Sequence, residues 1–133
     1  DTARGAWMIP TTVPTQFDPP ALRASVQRLL AFAPECIYLT HFSRIVEVPR
    51  AAARLLAMMD AMVAIAERHR STLDRHAMLE RELSALYGAS LAEHGVEHAS
   101  VKLALLAMDI DLNAQGLGIW LDRLAKQERQ ATR

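Results

Sequence analysis

Cysteine is all but missing from this chain of 133 residues, where Cys36 stands alone. No internal disulfide can form, and the residue reads as a small core hydrophobe in a reducing, cytoplasmic setting. Net charge is missing as well, since fifteen basic side chains balance fifteen acidic ones. A nucleic-acid backbone or an anionic membrane would find no field of one sign to draw it in, so neither is expected as a partner. Long apolar runs are also lacking: the most apolar stretch, Ala51 to Ala66, is broken by Arg54 and Asp60. It falls short of the roughly 18 to 20 residues a bilayer span needs and belongs in a soluble helix. No charged segment followed by an apolar one opens the chain, so no secretory signal is expected, and Asp1 reads as lying inside a longer polypeptide. There is no repeat period and no low-complexity tract.

What is present divides near residue 46. Residues 1–20 are rich in proline, which lacks a ladder donor and biases its predecessor toward extended geometry, so this part reads as turns and extended segments with at most a short strand over Ala6 to Ile9. Asp18 can cap a helix with Pro19 and Pro20 in its first turn, and Leu22, Val26, Leu29 and Leu30 recur at helical spacing until Pro34. Cys36 to Thr40 is too short for a helix and reads as a buried strand. Helix, strand and loop in that order make a piece of an α/β layer.

From about Glu47 onward the pattern is helical. Pro49 suits a helix start, with Leu55, Met59, Met62, Val63 and Ala66 as an apolar stripe to about Arg70. Ser71 with Asp74 resembles a capping box, and Leu79, Leu83, Leu86, Tyr87 and Leu91 line the helix that follows, which Gly95 ends. Ser100 is the expected cap of a last helical stretch from Val101 to about Gln130. Gly116 and Gly118 weaken its interior by roughly 1 kcal/mol each relative to alanine, so a bend or a close contact is expected near Gly116. Met58, Met59 and Met62 read as core packing.

The segment "CIYLTHFSRI" poses the functional question, because His41 follows directly on the apolar strand. Ligands in open α/β sheets bind beyond the carboxyl ends of strands, yet a single histidine holds no ion stably when catalytic zinc takes three protein ligands and a water. On spacing alone His41 can be a packed residue, a turn residue or a ligand.

Residues 1 to about 45 add a resemblance. Pro10-Thr11-Thr12, the helix start Gln16-Phe17-Asp18-Pro19, and Tyr38-Leu39-Thr40-His41-Phe42 resemble the end of the catalytic domain in the metallo-β-lactamase superfamily, specifically its glyoxalase II-like metallohydrolases. The resemblance implies that residues 1–46 are the last helix and strand of an αββα sandwich and that residues 47–133 are a helical C-terminal extension. It implies His41 as a metal ligand of a parent enzyme that uses two divalent ions, of zinc or else of iron or manganese, to hydrolyse an ester, thioester or lactam. Thr11 and Thr12, in a proline-bounded loop, are the candidates for lining the substrate pocket. The family's His-x-His-x-Asp-His motif and its bridging aspartate have no counterpart in this sequence. The chain alone is therefore expected to bind no metal ion and to be inactive, with no catalytic residue of its own. Its extension would shape the substrate entrance or a subunit contact. The alternative is a non-catalytic helical module that acts by self-association, which exposed apolar faces would also favour.

Three further motifs receive the plainer reading. "DIDLNAQG" copies the first oxygen positions of a calcium loop at Asp109, Asp111 and Asn113, but has Ala114 where glycine is required and Trp120 where a bidentate glutamate is required. Its polar residues read as helix positions, with Asn113 partly buried. His69, His76, His94 and His98 flank helix ends and read as dipole or solvent partners rather than ligands. Arg123 and Lys126 are similar to the basic residues with which glyoxalase II enzymes hold glutathione, but read as a solvated face helped by an Asp122–Lys126 pair.

Overall fold

Asp18 starts the first helix as its sequence predicts. In the computed structural model, which describes residues 4–12, 14–40 and 44–132, its Oδ1 accepts the Ala21 N–H at 2.9 Å, a cap worth about 1 kcal/mol. Pro19 and Pro20 occupy the first turn, where a missing N–H costs nothing. Helix α1 runs Pro19–Ala31, and α2, α3, α4 and α5 span Val48–Arg68, Arg75–Glu93, Ala99–Ala104 and Ala107–Ala131. Between α1 and α2, β1 (Ile37–Tyr38) pairs antiparallel with β2 (Arg44–Ile45), in the register Ile37 to Ile45 and Tyr38 to Arg44. The described chain is thus mostly helical with one small antiparallel sheet.

The core forms where α2, α3 and α5 meet. Met59, Met62 and Ala66 of α2, Leu79, Leu83 and Tyr87 of α3, and Leu117 and Leu121 of α5 are all at most 1% exposed. Each fully buried leucine contributes on the order of 1.5–3 kcal/mol of transfer free energy. Phe17, from before α1, joins the same cluster and meets Trp120 edge-on at 6.1 Å. Trp7 meets Tyr87 in the same way at 6.3 Å. The core therefore draws on both sides of residue 46.

Several elements differ from the sequence expectation. No strand forms over residues 6–9, because the segment spends its polar groups on helices: Trp7 Nε1 donates to Ser90 Oγ at 3.0 Å and the Pro10 carbonyl accepts from Asn113. The strand expected over Cys36 to Thr40 shrinks to two residues and is not buried, with Tyr38 75% exposed and Leu39 42%. Cys36 is half-buried rather than a core thiol. Helix α3 begins at Arg75, not at a Ser71 capping box, because Ser71 sits in a turn closed by the Thr72 N–H on the His69 carbonyl.

Ser100 lies inside α4, whose cap position is His98. The last helical stretch is split at Leu105 and Leu106, whose N–H groups fall back three residues to Lys102 and Leu103 and end α4 with tight turns. Gly95 does terminate α3. Its φ of +77° puts it in the left-handed region, its N–H bonds the Ala92 carbonyl, and the Val96 N–H reaches the Leu91 carbonyl. That bond pair is the Schellman closure.

Candidate functional site

Helix α5 holds the polar centre of the molecule. Asn113, 3% exposed, uses its whole amide: Oδ1 accepts the Thr12 N–H at 2.8 Å, and Nδ2 donates to the Pro10 carbonyl at 3.1 Å and to the Tyr87 hydroxyl at 2.9 Å. The Thr12 hydroxyl donates to the Asn113 carbonyl at 2.9 Å, and Tyr87 donates onward to Met62 Sδ at 3.4 Å. Burial pushes the Tyr87 phenol pKa well up, against a smaller downward pull from the Asn113 bond. The phenol stays a neutral donor.

Gly116, one turn beyond Asn113, makes this contact sterically feasible. A Cβ there would overlap the Thr12 carbonyl oxygen and hydroxyl and lie 2.8 Å from the Thr12 carbonyl carbon. The close contact expected near Gly116 is therefore to the Pro10–Thr12 loop. Farther along α5, Arg123 donates through Nη1 to the Thr15 carbonyl at 3.0 Å and through Nη2 to the Phe17 carbonyl. Arg123 is thus a clamp on the N-terminal segment rather than part of a solvated face, and Asp122 pairs with Arg75 at 2.9 Å instead of with Lys126.

The candidate pocket residues separate. Thr12 is 2% exposed with its hydroxyl and N–H both engaged, so it anchors the loop. Thr11 is exposed. His41 lies outside the described residues, within the 39–43 connection of the β1–β2 hairpin. Of the other histidines, His69 closes α2 and bonds Glu82, which Arg68 also holds. These two donors, His69 first, lower the Glu82 carboxyl pKa. His94 Nε2 donates to the Gly5 carbonyl at 2.9 Å.

One constellation escaped the sequence reading. His76 of α3 directs Nε2 to Asp111 Oδ1 on α5 at 3.0 Å and lies 3.7 Å from Glu80 Oε2. Among the described residues these three form the single His/carboxylate group whose donor atoms all fall within 4.8 Å of one another. Spacing signals the His76–Glu80 half, four apart on one helix, but Asp111 joins only through the packing of α3 on α5. An open groove of about 960 Å³ runs alongside, with His76, Gln115, Gly118, Ile119 and Leu73 on its walls.

No family model, curated protein or solved structure matches this chain. The residues and their geometry therefore carry the functional reading.

Proposed function

We propose that this chain is the C-terminal portion of a metal-dependent hydrolase of the metallo-β-lactamase superfamily, with α1 and β1 as the last helix and strand of an αββα sandwich and α2–α5 as its helical extension. The reading rests on the resemblance of residues 1–45. The observation that carries it further is the apolar surface left on α1 and the hairpin. Leu29 is 52% exposed, Phe32 82%, Tyr38 75%, Leu39 42% and Val46 51%. A surface of that kind fits against further sheet.

The chain's own residues do not fit a metal pair at that place. His41 is the one family ligand in the sequence, and the described His/carboxylate cluster is on α3 and α5 instead. No catalytic step is assigned to this chain, which alone hydrolyses nothing on this reading. The role of α5 is to hold the Pro10–Thr12 loop in place through Asn113, so that the extension supports the pocket wall from behind.

The test is metal analysis of the complete gene product, in which this reading requires upstream polypeptide with a His-x-His-x-Asp-His segment, beside its His41→Ala variant. The expected result is about two ions per chain, reduced in the variant, with hydrolysis of thioesters, lactones or lactams lost in parallel. An unchanged metal-to-protein ratio rejects the assignment of His41.

A second reading, a helical module acting by self-association, is favoured by exposed apolar side chains on α4, on α5 and at the turn between them. Val101, Leu105, Met108 and Leu112 are spaced four, three and four apart and are 43–72% exposed. Sizing of the 133-residue chain decides this reading: a concentration-dependent dimer supports it, and a monomer that binds no hydrophobic dye rejects it.

A further inference from the structure

We infer that His76, Glu80 and Asp111 form a divalent transition-metal site, distinct from any ion held through His41, that clips α3 to α5. The inference does not depend on the hydrolase reading. Each of its parts looks ordinary alone: a histidine near a helix start, and an aspartate from a sequence that fails as a calcium loop. Helix packing brings them together.

The donor set is one imidazole nitrogen and two carboxylates, which suits zinc and its first-row neighbours rather than calcium, whose sites are built from oxygens. The spacing suits the same ions. Metal–ligand bonds of about 2.0–2.2 Å in a tetrahedron place ligand atoms roughly 3.3–3.6 Å apart. His76 Nε2 lies 3.0 Å from Asp111 Oδ1 and 3.7 Å from Glu80 Oε2. Small rotations of half-exposed side chains complete the fit.

His76 and Glu80 are four residues apart on α3, so the helix itself sets their common face. Asp111 is oriented from behind: Gln115, four residues on along α5, donates Nε2 to Asp111 Oδ2 at 3.0 Å and leaves Oδ1 directed at the site. An amide that holds the outer oxygen of a ligating carboxylate is the usual outer-shell arrangement. Arg75, next to His76 in sequence, is engaged by Asp122. Three protein donors leave a fourth position, and the adjoining groove gives water or a small anionic solute access to it.

The test is zinc titration of the 133-residue chain by calorimetry and thermal unfolding, with His76→Ala, Asp111→Asn, Gln115→Ala and His41→Ala variants. The expected result is one zinc per chain and a rise in Tm of about 5 °C at saturating metal. His76→Ala and the nearly isosteric Asp111→Asn abolish both signals, Gln115→Ala weakens binding about tenfold, and His41→Ala leaves both unchanged. The inference is overturned if zinc produces no shift in the unmodified chain, if the shift survives in His76→Ala and Asp111→Asn, or if His41→Ala is the variant that removes it.

Discussion

Two glycines on α5 offer an experiment in which helix propensity and tertiary packing give opposite signs at one position and the same sign at the other. Propensity alone says that glycine to alanine inside a helix stabilises by about 1 kcal/mol, so Gly116→Ala and Gly118→Ala would both help. The structure separates them. At Gly118 an added Cβ meets nothing nearer than the Arg75 guanidinium at 3.7 Å, an ordinary contact. At Gly116 it would occupy the space of Thr12 backbone atoms, with the carbonyl carbon at 2.8 Å and the carbonyl oxygen nearer still. That backbone has little freedom to retreat, because the Thr12 N–H and hydroxyl are both tied to Asn113.

Relief requires the loop to lift, at an overpacking cost of typically 1–3 kcal/mol, and weakens buried hydrogen bonds worth about 1 kcal/mol each. After the propensity gain is subtracted, Gly116→Ala should destabilise by roughly 2 kcal/mol, while Gly118→Ala stabilises by up to about 1 kcal/mol. Urea unfolding followed by circular dichroism measures both, with midpoints moving in opposite directions at a common slope. A Gly116→Ala protein as stable as the Gly118→Ala protein would refute the close approach of loop and helix.

Asn113→Leu should cost about 3–5 kcal/mol, since it strands the Thr12 N–H, the Pro10 carbonyl and one side of the Tyr87 hydroxyl in a buried place; a loss under 1 kcal/mol in the same urea assay would mean that water replaces the amide. Glu82 gives a pH dependence. Its folded-state pKa is depressed below the ordinary 4.5 by the bonds from His69 and Arg68, so the associated stability is fully present above the unfolded value and is lost as pH falls through the folded one. Wild type should therefore exceed Glu82→Gln in Tm at pH 5 and above, by under about 1 kcal/mol for a partly exposed carboxylate, and the gap should close below pH 4.5; a gap that persists at pH 3 contradicts the assignment.

Much of the helical content is legible in the sequence because its causes are local. Asp18 followed by two prolines suits a helix start, Gly95 supplies the left-handed residue that ends α3, and Leu79, Leu83, Tyr87 and Leu91 lie on one face by spacing alone. The failures occur where local rules compete with distant partners. Ser71 has cap chemistry, but the His69 carbonyl closes a turn there first. Cys36 to Thr40 has the composition of a buried strand, yet burial requires a covering layer, and within the described residues the hairpin has Tyr38 largely in solvent.

Thr12 and Arg123 show the same limit at the candidate site. A threonine in a proline-bounded loop has equal local reason to face a pocket or to anchor a loop. Only Asn113, 101 residues away in the chain, makes it an anchor. The Arg123 guanidinium was readable as surface charge until the Thr15 and Phe17 carbonyls came within its reach.

By itself, then, the amino-acid order determined most of the helical content, the apolar stripes that bury it and the chemical types available to a site, because those depend on neighbours within about four residues. The tertiary structure alone decided that Asn113 locks the N-terminal loop and that His76, Glu80 and Asp111 share one place. Hydrogen bonds and metal ligation act over about 3 Å, and only packing brings residues from separate helices within that range.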